Sequence, residues 1–473
     1  MSQHMSPDEF RRQGHRVIDW IADYWERLDG LPVLSQVSPG DVARQLPGAA
    51  PDRPEDFGTL LDDLDRVVVP GLTHWQHPRY FAYFPANSSP AAILGDLLSS
   101  GLGAQGMIWA TSPAMTEVEQ VVLDWLAGAL GLPDDFRSDG AGGGVIQDTA
   151  STATFTALLA ALHRASGGRV RESGLGGEEW VVYGSTQAHS SLLKAAMMAG
   201  LGERAVRQVP VDAATQAMDV ASLRQAVAQD VAAGRRPVMV LGAAGTTSTG
   251  AFDDLEAIGE VAREQGLWFH VDAAWAGVAA VCPELRAGLR GWERADSAVT
   301  NPHKWLLTTF DCSTFWVRDR AALVGALSIL PEYLRNPASE SGGVVDYRDW
   351  HPQLGRRFRA LKLWAVMRTY GVSGLREHVR DGVALATHFA RLVADDERFE
   401  MVTERSLALV VFRLRAGDEE TLRVMEALNA SGVAYLSHTR VEGRAAMRLA
   451  VGSWRTTGAD VERTWAELQR LAG

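Results

Sequence analysis

Between about residue 90 and residue 320 the chain alternates short apolar runs with longer amphipathic ones. That alternation is the tightest constraint on its fold. Gly144–Gln147, Trp180–Tyr183, Pro237–Leu241, Leu267–Val271 and Ser297–Thr300 are short and largely apolar. Thr154–Ala165, Leu192–Ala199, Val220–Ala233 and Leu255–Gln265 lie between them and carry a helical repeat. A parallel crossover needs a connection of helix length, and it buries its strands on both faces. The pattern therefore predicts an α/β fold, with a mostly parallel central sheet and helices on both faces. In such sheets ligands bind at the C-terminal ends of the strands.

The flanks read differently. Residues 6–29 predict one long helix, opened by Ser6, Pro7 and Glu9 and closed by Gly30. Phe10, Val17, Ile21, Tyr24 and Leu28 form a stripe that Trp20 and Trp25 broaden, suited to a partner subunit or to the chain's own body. Residues 31–58 are rich in proline and glycine and read as a surface segment. Residues 355–395 read as helices broken at Gly371 and Gly374. Leu407–Leu414 (strand), Glu419–Ala430 (helix), Ala445–Val451 (strand) and Thr457–Leu471 (helix) follow. The expected division is an N-terminal helical, dimer-wrapping arm over 1–85, a large α/β domain over 86–360 and a small α+β domain over 361–473.

Composition excludes several classes. Net charge is −12, which argues against a nucleic-acid or anionic-membrane partner. Two cysteines, Cys282 and Cys312, make neither a disulfide framework nor a Cys/His metal cluster, and read as buried core thiols. Met1–Arg16 is polar and no apolar run reaches the length of a membrane span, so a cytoplasmic protein is expected.

Two strand ends carry the chemistry. Leu267–Val271 runs into Asp272, and about 30 residues later Ser297–Thr300 runs into Asn301-Pro302-His303-Lys304. Pyridoxal 5′-phosphate needs such a pair: an amine that condenses with its aldehyde, and a carboxylate that keeps its pyridine nitrogen protonated. A phosphate needs amides at a helix start. Gly142–Gly144 followed by Thr149, Ala150, Ser151 and Thr152 can supply them, as can the Gly245–Gly250 loop. Both segments are also compatible with plain structural turns. His189, just after the 180–183 run, can stack on a pyridine ring or simply open a helix.

Six segments together carry a family resemblance: HPRYFAYFPANSSPA (77–91), GGGVIQDTASTAT (142–154), AHSS (188–191), HVDAAWAG (270–277), NPHKWLLTTFDCS (301–313) and LGRRFRALKLW (354–364). In this order they resemble the aromatic L-amino acid decarboxylases, group II pyridoxal-phosphate enzymes of the aspartate-aminotransferase fold type. The resemblance spans roughly residues 5–470. It implies that Lys304 binds the cofactor covalently, Asp272 pairs with the pyridine nitrogen, His189 stacks on the ring and Ala274 lies flat against it. It implies that Ala150, Ser151, Thr247 and Asn301 hold the phosphate with His303 nearby. Leu354 and Gly355 would reach the cofactor from a second subunit of a homodimer with shared sites.

For the substrate, a small aromatic amino acid, the resemblance marks Trp75, Tyr83, Phe84, Pro85, Gln105, Met107 and Gly355. Glycine at 355 accompanies indolic substrates among plant relatives, which tilts the reading toward tryptophan and 5-hydroxytryptophan over tyrosine, DOPA or phenylalanine. Tyr333, in a stretch over 325–345 that reads as mobile, would protonate the substrate carbon after CO₂ leaves. Relatives with phenylalanine there tend to make aldehydes. The chain departs from the family pattern at Ala86, where threonine is common, at Asp148-Thr149 ahead of the phosphate residues, and at Gln105 and Met107, where animal members carry apolar or aromatic residues.

Overall fold

The computed structural model of the chain describes residues 4–86, 88–329 and 331–473. A seven-stranded sheet forms its centre: β1 (Gly143–Gln147), β2 (Trp180–Ser185), β3 (Val206–Val209), β4 (Arg236–Ala243), β5 (Trp268–Asp272), β6 (Ser297–Thr300) and β7 (Ser313–Val317), in the order β1-β7-β6-β5-β4-β2-β3. The strands pair in parallel from β3 through β6, and β7 runs antiparallel to both β6 and β1. The five apolar runs are β1, β2, β4, β5 and β6.

The sequence pattern misses β3 and β7 for separate reasons. Edge strand β3 reads Val-Arg-Gln-Val and is only partly buried, so it lacks an apolar signature. β7 follows β6 antiparallel, with one helical turn between them, so no helix-length crossover announces it.

Alternate residues of each strand feed two cores. Trp268, Val299, Phe315 and Val145 face one side, while Phe269, Val271, Ala298 and Trp316 face the other. On the first side the Ala150–Ser166 helix lies against β1 and β4–β7. Ala153, Ala157, Ala160 and Ala161 are buried, and their small side chains let the helix approach the sheet closely. Thr149 caps this helix by accepting from the Thr152 amide, and Gly167 ends it with a φ of 61°.

A helix over Arg359–Ala394 leads to an antiparallel sheet of β8 (Phe399–Met401), β9 (Leu409–Leu414), β10 (Ser437–Val441) and β11 (Arg444–Ala450), ordered β10-β11-β9-β8. The helix breaks at Gly371 alone, where φ is 60° and ψ 171°. Gly374 does not break it, contrary to the sequence reading. It sits in the first turn after the kink, where amides have no intrahelical bonds to lose.

The N-terminal helix spans Pro7–Arg27, capped by Ser6 as expected. Its far end is tied down: Tyr24 Oη meets His74 Nδ1 at 2.7 Å and Arg455 lies over the Trp25 ring. Phe10, at the near end, is 63 % exposed. Among the described residues no helix is long and apolar enough to cross a membrane.

Candidate active site

A cavity of about 230 Å³ opens where β1, β2, β4, β5 and β6 end. Ala150, Ser151, His189, Thr247, Asp272, Ala274, Asn301, His303 and Lys304 all line it, together with Phe84. Ten positions read from six separate segments thus meet in one space.

Parallel pairing puts Asp272 opposite Val299, so the carboxylate and the Lys304 turn leave the sheet side by side. Asp272 Oδ1 accepts from the Ala274 amide at 3.1 Å, and the Asn301 amide donates to the Ala274 carbonyl at 2.9 Å. These bonds lock the two loops together. Burial lowers the proton affinity of Lys304; the Asp272 charge raises it, and the Arg448 charge lowers it further. An amine held this way is a better nucleophile near neutral pH.

Each histidine has one ring nitrogen committed. His189 Nδ1 accepts from the Ser191 amide at 3.2 Å, and burial lowers its proton affinity. His303 Nδ1 accepts from the Cys312 amide at 2.9 Å, and burial pushes its pKa down to about 3. Both rings are therefore neutral at physiological pH. Asn301 Oδ1 accepts from Ser313 Oγ at 2.7 Å.

Two loops can receive a phosphate. Ala150 and Ser151 begin the Ala150–Ser166 helix, where free amides and the dipole favour an anion. Gly245 turns with a φ of 82°, and a Cβ there would sit 2.6 Å from the Ala276 Cβ. Thr246 Oγ1 is spent inside the loop, accepting from the Ala251 amide at 3.0 Å. The cavity's aromatic wall includes Phe84 stacked on Trp275 at 4.4 Å, with buried Trp305 behind Trp275 at 5.5 Å and Lys304 Nζ 5.5 Å from the Phe84 ring centre.

The pyridoxal-dependent decarboxylase conserved domain matches residues 39–415. A phenylacetaldehyde synthase of Arabidopsis thaliana is 46% identical over 99% of this chain and 96% of its own length. Tryptophan decarboxylase 2 of Oryza sativa subsp. japonica is 45% identical over 98% of this chain and 95% of its own. The crystal structure of Oryza sativa TDC with PLP and tryptamine superposes with a TM-score of 0.96 at 42% identity, covering 100% of this chain and 99% of that one.

The chain belongs to the pyridoxal-dependent decarboxylase family.

Its cofactor is pyridoxal 5′-phosphate, and the cavity's donors suit that group. There is an amine for the aldehyde, a carboxylate for the ring nitrogen, and helix-start amides for the phosphate. Ala274 lines the same cavity with a small side chain.

Other positions named from the sequence stand outside this cavity. Trp75 stacks on Tyr80 and Tyr83, with ring centres 4.5 and 6.0 Å away, and both Trp75 and Tyr83 are substantially exposed. Pro85 packs against Gly452. Gln105 Oε1 accepts from the Arg356 amide at 2.8 Å, and the Met107 carbonyl accepts from the Arg348 amide at 3.0 Å. Leu354 lines a separate cavity of about 550 Å³. Gly355 abuts Gln105. Their neighbours Pro352 and Gln353 share a third cavity, about 310 Å³, with Ser151. The Tyr333 side chain lies outside the described residues.

Sequence reasoning overlooked two buried groups. Arg448, on β11, donates Nε to the Ser248 carbonyl at 3.0 Å and Nη1 to Ser437 Oγ at 2.8 Å, and its guanidinium lies 5.1 Å from the Phe84 ring centre. A lone charge amid the apolar run Ala445–Val451 was the available signal. His270 shares the Asp272 face of β5; its Nδ1 lies 2.9 Å from Ser297 Oγ, and burial pushes its pKa down to about 4.

Proposed function

We propose that this enzyme decarboxylates an aromatic L-amino acid to the arylethylamine and CO₂, with tryptophan and 5-hydroxytryptophan favoured over tyrosine, DOPA and phenylalanine. The stacked pair Phe84–Trp275 lining the cavity beside Lys304, backed by buried Trp305, carries the reading. It offers a flat apolar wall to a substrate held at the lysine. The relatives named for tryptophan and phenylacetaldehyde chemistry support the same substrate class.

Bound pyridoxal 5′-phosphate supplies a sink for the electron pair left on the substrate Cα when CO₂ departs. The protein's residues do the rest. Burial lowers the proton affinity of the Lys304 amine, with the Asp272 charge opposing and the Arg448 charge adding to it, a balance that favours the nucleophilic form. Asp272 would keep the pyridine nitrogen of a bound cofactor protonated by placing its carboxylate beside it, stabilisation aimed where charge develops. His189, neutral and fixed through Nδ1, offers a flat face to the ring. The aromatic wall would exclude water and orient the substrate side chain, fixing which bond to Cα is presented for cleavage. The Tyr333 hydroxyl, by family resemblance, delivers a proton to Cα.

The enzyme acts as a homodimer in this reading. The Pro90–Leu102 helix buries Ala91, Ala92 and Gly95 and leaves Leu94, Leu97, Leu98 and Leu102 exposed along one stripe. An apolar stripe of that kind suits a second copy of the chain. Leu354 and Gly355 would serve the neighbour's site.

A substrate panel with product analysis by mass spectrometry tests the function. Amine and CO₂ from an aromatic amino acid are expected, and no turnover of any aromatic substrate would overturn the reading. The 46% identity to a phenylacetaldehyde synthase supports a second reading on the same scaffold, an aldehyde synthase. Stoichiometric peroxide and ammonia in that panel would select it.

A further inference from the structure

Outside the cavity, one buried ion pair is placed where the fold alone does not need it. The side chains of Arg356 and Glu119 are 1% and 2% exposed, and Arg356 Nη2 donates to Glu119 Oε1 at 2.6 Å. The same nitrogen donates to the Ile146 carbonyl at 3.1 Å, and the Ile146 amide donates to Glu119 Oε1 at 2.8 Å. The guanidinium lies 4.5 Å from the centre of the Tyr347 ring, and Tyr347 Oη donates to the Gly144 carbonyl at 3.0 Å. Both residues are thus bolted to β1.

On its other side Arg356 directly follows Leu354-Gly355. Its amide is held by Gln105 Oε1 at 2.8 Å, and Gln105 Nε2 sits 3.1 Å from where a Cβ on Gly355 would be. The pair therefore joins a fixed strand to the exposed Leu354–Gly355 segment, through a residue with no freedom of its own. Burying two charges rarely adds net stability, and an apolar pair of similar size would serve the fold as well. What the ion pair adds is direction: Nη2, bonded to both the Glu119 carboxylate and the Ile146 carbonyl while Nε and Nη1 make no hydrogen bond among the described residues, sets where the side chain and its own backbone lie.

We propose that the Glu119–Arg356 pair is a positioning device acting across the subunit boundary. Each subunit uses it to set Leu354–Gly355 for the other subunit's cavity. β1 is the anchor and keeps its ladder to β7 without the pair, so loss of the pair is felt at the presented segment. The proposal rests on the two-subunit reading above.

Hybrid dimers test it. Glu119→Gln is expected to lower kcat/KM by about tenfold to a hundredfold, the scale of an ångström-sized misplacement. In a hybrid of a Glu119→Gln chain with a Lys304→Ala chain, the one competent cavity receives its segment from an intact pair. Its activity should return to within about twofold of a wild-type/Lys304→Ala hybrid. The mirror hybrid, wild type with a Glu119→Gln/Lys304→Ala chain, should stay low. The opposite pattern, or two equal hybrids, would overturn the proposal. If Glu119→Gln fails to fold, Glu119→Leu/Arg356→Met keeps the volume without stranding a charge and enters the same hybrids. Sedimentation separates the two layers. A fully active monomer would remove the two-subunit reading and the proposal with it, whereas dimers with the wrong hybrid pattern remove the proposal alone.

Discussion

Arg448→Met is the substitution whose consequences can be worked furthest. The guanidinium is buried, and burial pushes its pKa down to about 10 from an ordinary 12.5. At about 1.4 kcal/mol per tenfold, keeping that charge costs the fold about 3 kcal/mol. It makes two good hydrogen bonds, to Ser248 and Ser437, worth about 1.5–3 kcal/mol each because the donor is charged. A longer contact of 3.4 Å reaches the Tyr83 carbonyl, while Ser437 Oγ also accepts from the Tyr83 amide. Tyr83 needs that support, since its φ of 52° is left-handed and costs a residue with a side chain about 1–2 kcal/mol. Methionine would lose the bonds but relieve both the buried charge and the strain, so the two sides nearly cancel. The melting midpoint should move by no more than about 5 °C. Function should not be spared. Released from Arg448, the Tyr83–Phe84 segment and the Ser248 loop lose their common tether, and kcat/KM should fall about a hundredfold. The Arg448 charge also lowers the proton affinity of Lys304, so cofactor capture by the apoenzyme should shift to higher pH. Steady-state kinetics, a melting curve and a pH series of reconstitution rates decide it. A large loss of melting temperature with kcat/KM and the pH midpoint unchanged would show that this arginine serves the fold and not the site.

Four more outcomes follow from the same geometry. Asp272→Asn should retain cofactor but lose most of the rate, and near wild-type turnover would refute its role at the ring nitrogen. Lys304→Ala should abolish the visible absorbance of the bound cofactor; an unchanged spectrum would refute the lysine assignment. Tyr333→Phe should divert product from amine toward aldehyde, ammonia and peroxide, and unaltered products in a mass-spectrometric assay would remove the proton-donor role. Finally, burial pushes His77, His270, His303, His351 and His378 down to pKa values of about 3 or 4. The unfolded chain binds protons at these rings near pH 6.5 and the folded chain does not. Stability should therefore hold above that pH and fall as pH drops toward 4, by up to about 1.4 kcal/mol per pH unit for each ring. Urea titrations from pH 7 to 5 check the slope; a flat profile would mean the rings are protonated in the fold.

Much of the site was legible because its chemistry sits at strand ends, and strand ends are visible as places where an apolar run stops. Asp272, Lys304, His189 and the Ala150–Ser151 turn each follow such a run, and all four meet in one cavity. Arg448 was not legible in this way. It lies more than a hundred residues beyond Lys304 on a strand of the small sheet, and a charge inside an apolar run says only that something pairs with it. β7 was missed because an antiparallel return after a single helical turn leaves no crossover to read.

By itself, then, the sequence determined the layered α/β plan, the cofactor and the strand-end residues that line one cavity, since these depend on local periodicity and on residue types set at the ends of runs. Tertiary structure alone decided which charges share a cavity and which groups stay neutral. It set Arg448 beside Phe84, tied Glu119 to Arg356 across 237 positions, and withheld water from five histidines. The reason is that proton affinity and hydrogen-bond direction are set by what surrounds a group in space, and no spacing along the chain encodes the distance between two folded strands.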